Sequence, residues 1–97
     1  MNYLYLIRFY SIKQQLKHDH IVLAVGHEQI LGLSLNRNKL LWKMKLEEIV
    51  GIKLINLCTL EFVGNSWQIE VNATEQQLAL EIKELMESLI KKTFIQI

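Results

Sequence analysis

The chain is 97 residues long, 51 % hydrophobic and 22 % charged, with a formal net charge of +1 at pH 7. That composition is globular rather than disordered, and a chain of this length buries a core as a single domain spanning 1–97. The one cysteine excludes an internal disulfide framework and fits a reducing compartment, no apolar run approaches the ~20 residues that span a bilayer, and the charge is too low to indicate a nucleic-acid partner.

The N-terminal stretch MNYLYLIRFY carries Arg8 inside its apolar run and lacks a small-residue cleavage site. No signal peptide is expected, so a cytoplasmic location is the default. Residues 3–12 alternate, with Tyr3, Tyr5, Ile7 and Phe9 on one face and Arg8 on the other, and read as a first strand. SIKQQLKHDH (11–20) is polar and reads as a connection. Ile21 to Gly26 reads as a second strand with Ile21, Leu23 and Val25 inward. After a turn at Gly26-His27-Glu28, a third strand places Leu31, Leu33 and Leu35 on one face and Gly32 and Ser34 on the other. Asn36-Arg37-Asn38 reads as a tight hairpin turn, because Asn tolerates positive φ.

The fourth strand, Lys39 to Lys45, points Leu40, Trp42 and Met44 inward and Lys43 and Lys45 outward. Leu46-Glu47-Glu48-Ile49 fits a bend or helical turn. Val50 to Ile55 reads as a fifth strand, with Val50, Ile52 and Leu54 inward and Gly51, Lys53 and Ile55 outward. Asn56 turns the chain into a sixth strand with Cys58, Leu60 and Phe62 inward. Gly64-Asn65-Ser66 makes a second hairpin turn, and Trp67, Ile69 and Val71 give the inward face of a seventh strand. Leu41, Leu57 and Val63 face outward, which suits packing against other lobes of a larger protein.

TEQQLALEIKELMESLIKK (74–92) is the one long amphipathic helix. Leu78, Ile82, Leu85 and Leu89 form its stripe, widened by Ala79, Met86 and Ile90, and Leu80 points away. Thr74 and Gln77 have capping-box spacing, Glu87 and Lys91 are spaced for an ion pair, and Lys91 and Lys92 sit where the helix dipole favours cations. Seven hairpin-spaced strands followed by one helix predict an all-β fold: an antiparallel seven-stranded sandwich or barrel capped by a C-terminal α-helix.

No catalytic constellation stands out, so an enzyme is not expected. His18, Asp19, His20 and His27 lack a convincing fourth ligand, which argues against a metal, and Cys58 reads as a buried, inert thiol. The four glycines, 26, 32, 51 and 64, are isolated, so no phosphate-cradling loop exists and no cofactor is expected. Charge is unevenly distributed: through Lys45 there are seven Lys/Arg against two acids, and afterwards four against eight.

The order of elements from Ile21 to Lys92 resembles the pleckstrin-homology superfold. Within it, ILGLSLNRNKLLWKMKLEEIVGI (30–52) looks like the strand–turn–strand–bend segment of the third lobe of FERM domains. In that family an aromatic ends the fourth strand, Leu and Ile follow across two polar residues, and a second aromatic opens the fifth strand. Met44, Leu46, Ile49 and Ile52 hold those positions here, with Met44 and Ile52 replacing the aromatics. The resemblance implies a protein-interaction module, an adaptor or one lobe of a larger assembly, that binds an extended peptide along the fifth strand and the helix. On this sequence those positions are Val50, Gly51, Lys53, Ile55, Ala79, Lys83, Met86 and Ile90. The alternative it implies is a peripheral membrane module reading phosphoinositide with the basic loop residues Lys13, Lys17, Arg37 and Lys39. The paired basic residues that lipid-reading members carry on the second strand are missing from Ile21 to Val25.

Overall fold

The computed structural model describes residues 6–14 and 19–95, with side chains described over 8–13 and 20–90. Seven strands precede one helix: β1 (Leu6–Gln14), β2 (Asp19–Gly26), β3 (Gln29–Ser34), β4 (Lys39–Lys45), a 3-10 turn (Leu46–Glu48), β5 (Gly51–Leu54), β6 (Thr59–Val63), β7 (Gln68–Asn72) and α1 (Gln76–Ile95). All pairings are antiparallel, in the order β4-β3-β2-β1-β7-β6-β5. β1 pairs with β2 along its length but meets β7 only at Lys13 and Asn72. That single joint divides the sheet into two halves, and one hydrophobic cluster draws on both, from Ile12, Leu23 and Ile30 to Leu60, Phe62 and Val71. α1 covers the core beside the 3-10 turn, β5 and β6. The expected seven antiparallel strands and C-terminal helix are therefore the observed architecture.

Several faces differ from expectation. In β1 the buried residues are Tyr10 and Ile12, whereas Phe9 is exposed; the register slips between Leu6 and Arg8, which changes the alternation past Ile7. Tyr3 and Tyr5, and the Ile7 side chain, lie outside the described residues. In β3 the inward face is Ile30, Gly32 and Ser34, and the leucine face is the outer one. The cause is on the next strand. Gly32 pairs with Trp42, and an ideal Cβ on Gly32 would lie 2.6 Å from Trp42 Cζ2, so the indole occupies the space a side chain would need. Ser34 Oγ accepts a hydrogen bond from Arg37 N–H at 3.2 Å, which ties the strand into its turn. Asn38 in that turn has φ 50°, as the hairpin reading requires.

A second register shift, between Gly32 and Leu33, falls at Leu41 of β4. It brings Leu41 against the core and turns Leu40 outward, while Trp42 and Met44 stay inward. Leu46 and Ile49, flanking the acids of the 3-10 turn, are buried, and Leu46 N–H donates to Glu28 O at 2.9 Å. Asn56 Oδ1 accepts from both Cys58 N–H and Thr59 N–H at 3.0 Å, an Asx turn that starts β6 one residue after Cys58. Cys58 is consequently half-exposed in the turn rather than buried in the strand.

The helix begins at Gln76, and Thr74 has φ 69°, so it does not cap the helix as a capping box would. Asn72 Oδ1 instead accepts the Thr74 N–H at 2.7 Å, holding the left-handed kink between β7 and α1. The fully buried line of α1 is Ala79, Ile82 and Met86, continued by Leu89, with Leu78, Leu85 and Ile90 on its flanks. The stripe is thus rotated about one residue from the leucine-weighted reading. Leu80 points away, as expected. Glu87 is held by Lys83 at 3.0 Å, whereas the Lys91 and Lys92 side chains lie outside the described residues.

Candidate interaction site

The sheet has two edges, β4 and β5, and they differ chemically. β4 carries Lys39, Lys43 and Lys45, all exposed, and the bulge at Leu41. Lysines and bulges are the devices that keep an edge from recruiting another strand. β5 is short and carries one lysine, Lys53.

Its backbone geometry follows from two hydrogen bonds. Ile55 N–H donates to Thr59 O at 2.9 Å and Val50 N–H to Val63 O at 2.8 Å, with Lys53 paired to Glu61 and Gly51 to Val63. Because an antiparallel strand turns its amides alternately to either side, the N–H and C=O groups of Ile52 and Leu54 point away from β6. Val50 and Gly51 both oppose Val63, which makes a bulge and explains why Val50 lies outward at 62 % exposure instead of inward. Nothing lies within 4 Å of where a Gly51 Cβ would stand. Ile55 (48 %) and Leu57 (64 %) are exposed at the other end of the strand. Three large apolar side chains therefore bracket an open edge whose own core residues, Ile52 and Leu54, are half-buried.

On the helix side the expected positions separate into two groups. Ala79 and Met86 are fully buried and belong to the core, so neither presents its side chain to a groove. Lys83 and Ile90 are partly exposed on the flank, with the Lys83 ammonium held by Glu87. Val50, which alternation turned inward, is exposed, and Leu57 is exposed as its outward reading expects. A bulge is hard to read from sequence, but Asn56 announces the turn that lifts Leu57 out.

The basic rim is spread out. Lys13 is exposed opposite His20 on β2, and Lys39 is exposed opposite Ser34, all at one end of the first half-sheet. Arg37 is exposed in the adjoining turn, and Lys17 lies outside the described residues. Lys13 and Lys39 sit on strands three spacings apart, about 14 Å at ~4.8 Å per strand, too far for one phosphate. Among the described residues no three His, Cys, Asp or Glu side chains come together as a metal set. No described helix is long and apolar enough to cross a membrane.

The Tyr10 phenol is pushed above its ordinary value, first by burial and then by the Glu81 carboxylate of α1, which also hydrogen-bonds it. The interaction links β1 to the exposed Glu81 of α1.

No protein-family model and no curated protein matches the chain. Among solved structures, the crystal structure of human RhoA in complex with the DH/PH fragment of PDZRHOGEF contains a chain superposing with TM-score 0.76 at 14 % identity. The match covers 92 % of the present chain. The chain has a pleckstrin-homology-like fold. It spans 29 % of the length of the chain it matches, so the likeness concerns one part of a larger molecule.

Proposed function

We propose that this pleckstrin-homology-like domain binds an extended peptide by adding it to the open edge of β5, as the resemblance to the third lobe of FERM domains implies. The observation that carries the reading is the contrast between the two edges: β4 is blunted by three lysines and a bulge, whereas β5 offers the free backbone groups of Ile52 and Leu54 between exposed Val50, Ile55 and Leu57. Main-chain pairing supplies affinity, and the apolar brackets with Lys83 and Ile90 on the helix flank select side chains, favouring a peptide with apolar residues and an acid within reach of Lys53 or Lys83. The domain acts as an adaptor or as one lobe of a larger assembly. Binding of phosphoinositide at the rim has less support, because Lys13 and Lys39 do not converge.

Partners are identified by pull-down from native cell extract, and binding is then measured with purified components. Val50→Glu and Ile55→Glu should each weaken binding about tenfold, or ~1.4 kcal/mol, with little change in stability. In the complex, the Ile52 and Leu54 amides should become protected from hydrogen exchange. Partners that bind both variants normally and leave those amides unprotected would show that β5 is not the site.

A further inference from the structure

The outer face of β1–β4 is a second surface, separate from the β5 edge. Its strand registers place Phe9, Ala24, Leu31 and Lys43 in one cross-strand row and Ser11, Val22, Leu33 and Leu40 in the next. The rows are not level. Ala24 is fully buried and Val22, Leu31 and Leu33 are half-buried, whereas Phe9 on β1 is 60 % exposed and Leu40 on β4 is 48 % exposed. The face is therefore a trough floored by β2 and β3 and walled by Phe9 and Leu40.

The walls stand three strand spacings apart, about 14 Å, and an α-helix with its side chains is about 10–12 Å wide. The six to eight residues of β3 and β2 run about 20–27 Å, the length of a helix of about 14–18 residues. Charge is equally specific. Lys13, His20, Lys43 and Lys45 rim this face, and none of its described outward strand residues is Asp or Glu. The outer face of the other half-sheet has the opposite character, with Glu61 and Glu70 as cross-strand neighbours.

We propose that the outer face of β1–β4 docks an amphipathic helix of a partner protein, its apolar side chains seated between Phe9 and Leu40 and its acidic flanks on Lys13, Lys43 and Lys45. An apolar trough with a one-sign rim fits such a helix better than it fits a bilayer. A bilayer would be met by protruding side chains, whereas here the apolar floor is recessed below its walls.

The test uses the full chain and two synthetic 16-residue helix-forming peptides with the same Leu/Phe face, one flanked by Glu and one by Lys. The Glu peptide should bind at least tenfold more tightly than the Lys peptide, weaken as salt is raised, and shift the backbone amide resonances of β2 and β3. Leu40→Glu and Lys43→Glu, both exposed, should each reduce binding at least tenfold with an unchanged denaturation midpoint. Any of four results overturns the proposal: absence of Glu-peptide binding; equal binding of the two peptides; shifts confined to β5 and α1; or variants that bind like wild type. It is also overturned if Leu40→Glu abolishes association with phosphatidylserine vesicles, which makes the face a membrane surface. The same holds if Leu40→Glu breaks a wild-type dimer, which makes the occupant a second copy.

Discussion

Replacing Gly32 by Ala tests the central packing argument. An added Cβ would stand 2.6 Å from Trp42 Cζ2 and 2.7 Å from Cδ2, where carbon atoms in contact lie about 3.5–4.0 Å apart, so the ring must retreat by roughly 1 Å. Trp42 packs against the core on a strand pinned by Met44 and Leu46, so retreat opens a gap beneath it. Overpacking of this kind costs about 1–3 kcal/mol, and Ala recovers roughly 0.5–1 kcal/mol over Gly in a strand through the unfolded chain. The expected net loss is about 1–2 kcal/mol, measured by urea unfolding; for a domain of this size that lowers the melting temperature by roughly 5–10 °C. Gly51→Ala is the internal control, with open space where its Cβ would stand, and should be neutral or slightly stabilising. In a Trp42→Leu background the cost of Gly32→Ala should largely vanish. An equal cost in both backgrounds would show that the indole does not dictate the glycine.

Three further outcomes follow from the core. Thr59 is buried with its hydroxyl unpartnered, so Thr59→Val should stabilise the fold by about 1 kcal/mol in denaturant titration; a loss of that size would reveal a hydrogen bond to that hydroxyl. Ile82→Ala should cost about 2–5 kcal/mol and half-buried Leu85→Ala clearly less, and equal losses would restore the leucine-centred stripe. The raised Tyr10 pKa favours the protonated phenol in the folded state, so its stabilising contribution is complete below the unfolded value near 10 and is lost as pH rises through the folded value. Tyr10→Phe should flatten that alkaline decline, and a decline of unchanged steepness in the variant would assign it to other groups.

The architecture was legible because hairpin signals depend on local chemistry. Asn36-Arg37-Asn38, Asn56 and Gly64-Asn65-Ser66 each mark a turn that the fold contains, and the helix has an unmistakable 3.6-residue period. The faces were less legible, because alternation identifies two faces without saying which is buried. In β3 Leu31 and Leu33, with Leu35 just beyond the strand, outweigh Ile30, Gly32 and Ser34 in hydrophobicity, yet the smaller set is inward since Trp42 fills the volume from the neighbouring strand. That information was present in the sequence only as a pair: a glycine and a tryptophan equally distant from one hairpin turn. The same logic recurs where Trp67 lies over Gly64, its backbone carbonyl accepting the Gly64 N–H at 2.9 Å. The register shift at Leu41 inverted both Leu40 and Leu41, the bulge at Val50 inverted that residue, and no composition rule locates a bulge.

These inversions shape both surfaces through which the domain is proposed to act. Had Val50 and Leu40 kept the alternation of their strands, both would be core residues. The β5 edge would then lack one apolar bracket and the outer trough one wall. A bulge exchanges a ladder position for an outward side chain, which costs backbone pairing and returns exposed apolar surface to water. Such a combination is unfavourable for an isolated fold at both sites, and burial beneath a partner at either one would recover it. Val50→Thr and Leu40→Thr distinguish surface retained for binding from surface required by the core. The expected outcomes are unchanged unfolding midpoints and weaker association at the respective site. A loss of more than about 1 kcal/mol of unfolding free energy in either variant would instead assign that side chain to the fold itself.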